Sequence, residues 1–261
     1  MKKREFRARC NEGEERFALV TGGSRGIGRA TALRFAEHGT HVAFCYFTSR
    51  GKASETAKEV EERGVRALPI RANMGSEENI DKMFDVVERE FGALDILVAN
   101  AATGVLRPTL EVTNKEWDRV MHINLRSLFH CAKRAVPLMK GRPDPRIVSL
   151  TSMGSTRTIE NYAAVGTSKA AIESLTRYLA VELKPKGITV NAVCAGIVDT
   201  DSLKLFPGRD KMIEHCRLHT PGGKVGTPED IAKVICLLCS PEAGWIVGQT
   251  IIADGGYALK S

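Results

Sequence analysis

The run Phe17-Ala18-Leu19-Val20-Thr21 passes straight into Gly22-Gly23-Ser24-Arg25-Gly26-Ile27-Gly28, and that turn into RATALRFAEHG. The first five residues read as a short buried strand, and the last stretch has apolar residues at helical spacing. Strand, glycine turn and helix, in that order, is the context a dinucleotide-binding turn requires. Glycines let the backbone approach a pyrophosphate, and the amides of the helix N-terminus favour its charge. Gly22, Ser24, Arg25, Gly26, Ile27 and Gly28 are therefore candidate cofactor contacts. The spacing is Gly-x-x-x-Gly-x-Gly rather than Gly-x-G-x-x-Gly, so on this segment alone a glycine turn without a nucleotide stays open.

The next strand reads as HVAFCYF, ending at Phe47. The group that grips an adenosine ribose sits at such a strand end, about 20 residues after the glycines. NAD sites place Asp or Glu there. This chain has Thr48-Ser49-Arg50-Gly51-Lys52, with no acid between Gly39 and Ser54. A carboxylate would repel a 2′-phosphate, whereas Ser49, Arg50 and Arg25 would bind one. The pattern predicts NADPH over NADH, held at Phe47, Thr48, Ser49 and Arg50. The alternative is that Arg50 and Lys52 only begin a solvated helix.

The same rhythm continues. Helical patterns at 53–63, 76–91, 115–139, from Tyr162 onward, and at 228–239 alternate with strand patterns at 65–71, 96–99, 146–150, 188–193 and 249–252. Strands alternating with helices predict an α/β fold: a single Rossmann-type, doubly wound parallel β-sheet with helices on both faces. The domain is expected to span 16–261, after a flexible basic extension over 1–15. Pro207, Gly208, Pro221 and paired glycines interrupt 199–223, which predicts a mobile substrate-binding lid.

Composition bounds the rest. The 261 residues, 43% hydrophobic and 26% charged, suit one domain with a large core. No apolar run approaches the roughly 18 residues of a membrane span. The start, MKKREFRARCNEGEER, lacks the apolar centre of a secretory signal, so a cytoplasmic location is expected. The net charge of +7 is spread along the chain, which is a poor nucleic-acid signature. It suits acidic partners such as nucleotide phosphates or an acidic carrier protein. The seven cysteines read as reduced thiols. Cys236 and Cys239 lie within IAKVICLLCS with no second Cys/His pair at zinc spacing, so helix core is expected and no metal.

Tyr162-Ala-Ala-Val-Gly-Thr-Ser-Lys169 supplies the chemistry. It continues as AAIESLTRYLAVEL, with no proline before Pro185. Seven residues at about 100° each make nearly two helical turns, so Tyr162 and Lys169 share a face. A phenol beside an ammonium is an acid whose pKa the positive charge should lower.

These residues together resemble the short-chain dehydrogenase/reductase superfamily from about Phe17 to Tyr257. The turn at 21–28 is similar to the family's cofactor turn. Ala99-Asn100-Ala101-Ala102 stands where the family usually has Asn-Asn-Ala-Gly. Asn191-Ala-Val-Cys-Ala-Gly196 stands for its Asn-x-x-x-Pro-Gly turn, and Asp254-Gly-Gly256 for its closing turn. The usual Tyr-x-x-x-Lys is absent: Val165 occupies that tyrosine position, and the spacing is Tyr-x6-Lys. That spacing, with the stretches at 100–108 and 160–169, resembles the third, NADPH-using type of bacterial enoyl-[acyl-carrier-protein] reductase.

The resemblance implies that Tyr162 acts on the substrate carbonyl and that Lys169 holds the nicotinamide ribose. Ser152 matches the family's serine, either catalytic or structural. Asn124 supports a water chain to Lys169 or pins a helix bulge. Asn73 and Met74 should flank the adenine, Asn100, Ala101 and Ala102 should lie under the adenosine ribose, and Ile197 and Thr200 should meet the nicotinamide. An enoyl thioester on acyl carrier protein would enter beside 202–219. There Lys204, Arg209, Lys211 and Arg217 either meet the carrier or form a solvated face. A homotetramer joined through the helices at 115–139 and 160–184 is implied. Reduction of 3-oxoacyl thioesters, or other carbonyl and alcohol redox, is the alternative activity. A non-enzymatic nucleotide sensor is disfavoured by retention of Tyr162 and Lys169.

Overall fold

Apolar runs without polar alternation form the middle of the sheet. In the computed structural model, which describes residues 15–201, 203–206 and 208–260, β1 (Arg16–Val20) leads to α1 (Gly26–Glu37) and β2 (Thr40–Tyr46). Then follow α2 (Arg50–Glu61), β3 (Ala67–Arg71), α3 (Glu77–Phe91) and β4 (Ile96–Ala99). The second half holds α4 (Asn114–Met121), α5 (Ser127–Leu138), β5 (Arg146–Ser152), α6 (Ala163–Leu183) and β6 (Thr189–Ala195). It closes with α7 (Arg209–His219), α8 (Pro228–Leu238) and β7 (Thr250–Ala253). The expected basic extension lies, Glu15 apart, outside the described residues.

Among the described residues seven strands form one parallel sheet, in the order β3-β2-β1-β4-β5-β6-β7. Side chains alternate across a strand. Ala18 and Val20 therefore join one core, with Phe35 of α1, Val60 of α2 and Ile235 of α8. Leu19 joins the other, with Phe84 of α3, Leu128 of α5 and Ile172 of α6. The order reverses between β1 and β4, which opens a crevice at the strands' carboxyl ends.

Two expectations change. The helix expected over 115–139 is interrupted by a π-turn at His122–Arg126, between α4 and α5. The segment 199–223 is not all loop, because it contains α7. That helix starts from Gly208 in the left-handed region (φ 72°) and buries only Cys216, so it carries almost no apolar periodicity to be read. The strand and helix ends otherwise move by a few residues. Cys236 and Cys239 are unpaired thiols in and at the end of α8. No helix among the described residues is long and apolar enough to cross a membrane.

Candidate active site

The crevice holds a cleft of about 680 Å3. Its floor is the β1–α1 turn, from which Gly22, Ser24, Arg25, Gly26 and Ile27 face the cleft. Gly28 does not line it but lies beneath the turn. A Cβ there would sit 2.3 Å from the Gly22 carbonyl oxygen and 2.6 Å from Asn100 Nδ2. Thr21 fixes the turn from the other side: its Oγ1 accepts from Asn100 N at 3.0 Å and Ala101 N at 2.9 Å. Asn100 Nδ2 donates to the carbonyls of Thr21 (2.8 Å) and Gly22 (3.2 Å). The Asn100 side chain therefore braces the turn, and Asn100, Ala101 and Ala102 all line the cleft. The N-cap of α1, Arg25, makes no side-chain cap, and the first turn holds no acid. Its amides are left for an anion.

Phe47, Thr48 and Ser49 form the wall beyond β2, with Asn73 and Met74 beside them. Asn73 Oδ1 accepts from Gly75 N at 3.0 Å, which closes its own turn. Arg50 opens α2 directly after Ser49 and is not on the lining. The first turn of α2 holds no acid. The cradle fits a dinucleotide, and the acid-free end of β2 fits one with a 2′-phosphate.

The opposite wall is built by β5 and α6. Tyr162 is the N-cap of α6, and Lys169 lies two turns on within it. Both line the cleft with Ser152, whose Oγ is 3.4 Å from the Tyr162 hydroxyl. Val165 does not line it. It is buried, packing with Val120 and Ala164, and a Cβ on Gly104 would lie 3.2 Å from its Cγ2. The residue four before the lysine is thus turned into the core, and the residue seven before it reaches the cleft.

The electrostatics correct one expectation. Lys169 Nζ donates to the Leu150 carbonyl at 2.8 Å and does not lower the Tyr162 pKa. Burial raises that pKa, against a lowering hydrogen bond from Ser152. Tyr162 is a neutral hydroxyl donor at neutral pH. Burial lowers the Lys169 pKa to about 8, which still leaves it mostly charged at neutral pH.

Asn124 does not line the cleft. Within the π-turn its Nδ2 donates to the Thr103 carbonyl (3.0 Å) and to Ser168 Oγ (2.9 Å), and its Oδ1 accepts from Thr103 N (2.8 Å). It pins the bulge to the loop after β4 and to α6, the structural alternative.

Ile197, just after β6, and Thr200, at the start of the lid, both line the cleft. The Ile197 carbonyl is occupied by Gly226 N at 3.1 Å. Lys204, Arg209 and Arg217 pair with Asp201, Asp199 and Glu214 of their own segment, which favours the solvated-face reading; Ser202 lies outside the described residues. Sequence reasoning missed Phe206 and Gly154. The Phe206 ring is tilted 39° to that of Tyr162, with centroids 5.8 Å apart. Gly154 lies under the Tyr162 ring: a Cβ there would be 2.6 Å from Cε1. The only sequence signal was its place two residues after Ser152.

Gly154→Ala should therefore tilt the Tyr162 ring and lower kcat by about 100-fold, the scale of a misplaced catalytic group. Fluorescence titration of reduced nucleotide should show unchanged affinity. An unchanged kcat would remove Gly154 as the support of the ring.

The chain is similar to known proteins over most of its length. A family model described as enoyl-(acyl carrier protein) reductase matches residues 22–258. A 1-cyclohexenylcarbonyl-CoA reductase of Streptomyces collinus is 39% identical over 93% of this chain and 86% of its own. A 3-oxoacyl-[acyl-carrier-protein] reductase FabG of Staphylococcus aureus is 37% identical over 93% of this chain and 98% of its own. A solved short chain dehydrogenase from Burkholderia cenocepacia J2315, in complex with NADP, superposes with a TM-score of 0.86 at 33% identity, covering 94% of this chain and 98% of that one. The chain belongs to the short-chain dehydrogenase/reductase superfamily, in the family described as enoyl-(acyl carrier protein) reductase.

Proposed function

We propose that this oxidoreductase reduces the carbon–carbon double bond of α,β-unsaturated thioesters with NADPH. The coenzyme type follows from the superfamily, from the NADP-bound relative, and from the acid-free wall at Thr48 and Ser49. It supplies hydride. The observation that carries the substrate reading is the exchange of Tyr162 for Val165 at the cleft wall.

Three residues displace a helical side chain by about 4.5 Å along the axis. In ketone reduction the acid must reach the oxygen on the carbon that takes the hydride. In an enoyl thioester the hydride goes to the β-carbon, and charge develops on an oxygen two carbons further away. The displaced tyrosine fits the second case. Tyr162 donates its hydroxyl in a hydrogen bond to the thioester oxygen and stabilises the developing enolate, whose α-carbon then takes a proton from water to give the saturated thioester. Burial keeps the phenol's own proton in place. Ser152 orients the phenol. Lys169, which lines the same cleft, would hold the nicotinamide ribose of the coenzyme.

A second reading, 3-oxoacyl thioester reduction, is favoured by the Staphylococcus aureus relative's name and by the Ser152–Tyr162 pair, which could serve a ketone. The Streptomyces collinus relative's name points instead to an unsaturated acyl thioester. The +7 charge supports an acidic carrier protein as the thioester's bearer. Exposed Phe129 on α5 and Tyr178 and Val181 on α6 support a homo-oligomer joined through those helices.

Tyr162→Phe should cut kcat on crotonyl thioester by about 100-fold or more, as loss of an oxyanion donor does, with reduced-nucleotide affinity retained. Turnover near wild type on both crotonyl and acetoacetyl thioesters would remove the catalytic assignment. Ser49→Asp should raise the Kd of NADPH by about tenfold or more through repulsion of the 2′-phosphate, and leave NADH nearly unchanged; equal changes for both nucleotides would place the 2′-phosphate elsewhere.

A further inference from the structure

An ion pair joins α2 to the lid across the cofactor cleft. Lys52, in the first turn of α2, donates from Nζ to Asp201 Oδ2 at 2.8 Å across a sequence separation of 149. Asp201 belongs to the lid, and its Oδ1 accepts from Lys204 Nζ, also at 2.8 Å. Asp201 and its neighbour Thr200 line the same cleft as Thr48 and Ser49.

The pair lies above the phosphate cradle. A Cβ on Gly26 would be 3.5 Å from Thr200 Cγ2, so Thr200 comes down over the start of α1, where the pyrophosphate is expected. Asp201 then reaches past it to Lys52. Thr200 thus packs against the turn beside the cradle, and a dinucleotide entering or leaving the cradle there would have to displace Thr200 and, with it, the adjoining Asp201. Hydrogen bonds from Lys204 and then Lys52 hold the Asp201 carboxyl well below the usual carboxylate range, so the pair stays charged through neutral and mildly acidic pH.

We propose that the Lys52–Asp201 ion pair is a latch across the cofactor cleft, and that its parting governs NADP(H) exchange. The proposal rests on the cofactor assignment and not on which double bond is reduced. Nothing in it requires a thioester, so its failure is separable from failure of the enoyl reading.

The test is stopped-flow displacement of bound NADPH or NADH by excess NADP+, followed by nucleotide fluorescence. Asp201→Asn should speed release of both nucleotides by about 2- to 5-fold, the range of an exposed ion pair. Lys52→Met should match it when NADH, which lacks the 2′-phosphate, is used. The double variant should be no faster than either single one. The exchanged pair Lys52→Asp with Asp201→Lys should return NADH release toward wild type. Raising salt should bring wild type toward Asp201→Asn, because screening weakens an exposed pair. Unchanged or slower release in Asp201→Asn would overturn the latch. Slower release is the sign expected if Asp201 only repels the cofactor phosphates. Release in the exchanged pair that stays as fast as in the single variants would overturn it as well.

Discussion

The catalytic wall depends on how closely the Tyr162 ring can approach the backbone that leaves β5. Gly154 has no side chain, and only that allows the ring to lie where it does. With the ring seated there, the hydroxyl comes within 3.4 Å of Ser152 Oγ, at the last residue of β5. The helix that starts at this tyrosine carries Lys169 along the same wall. The sheet thus sets the position of the phenol, and α6 sets its distance from the lysine. Asn124 locks the arrangement from behind by joining the π-turn, the loop after β4 and Ser168 of α6.

Burial does two things to this wall. It keeps Tyr162 protonated, so the group offered to a substrate oxygen is a neutral donor. It also weakens the hold of Lys169 on its proton, while the ammonium donates to the Leu150 carbonyl. A donor that stays neutral suits stabilisation of an enolate oxygen, where a hydrogen bond is needed as charge appears. The opposite wall carries no acid at the end of β2, and α1 offers uncapped amides. The cleft is therefore receptive to anions at its phosphate end and apolar at Phe206, beside the reacting end.

Much of this was legible in the chain. The glycine turn, the strand before it and the helix after it have local signatures, and so have the alternating strands that order the sheet. The Tyr-x6-Lys spacing is likewise a fact of sequence. Other features depend on contacts that no local pattern records. The π-turn at His122–Arg126 is hidden because apolar spacing continues on both sides of it. α7 is hidden because one cysteine is all that it buries. The direction of Lys169 is set by a carbonyl 19 residues away, so a phenol and an ammonium seven residues apart suggested a charge effect that the fold does not use. The bracing of the turn by the Asn100 side chain, through the carbonyls of Thr21 and Gly22, is likewise a contact that no local pattern records.

The central claim is that the displaced phenol serves an oxygen two carbons from the hydride acceptor. Tracing the hydride tests it most directly. Crotonyl and acetoacetyl thioesters, mixed in equal amounts, would be reduced with NADPH deuterated at the transferable position, and the products read by NMR. The predicted result is butyryl thioester with deuterium on the β-carbon. The contradicting result is 3-hydroxybutyryl thioester with deuterium on the carbon that bears the new hydroxyl, which would mean that Tyr162 and Ser152 serve a carbonyl beside the hydride.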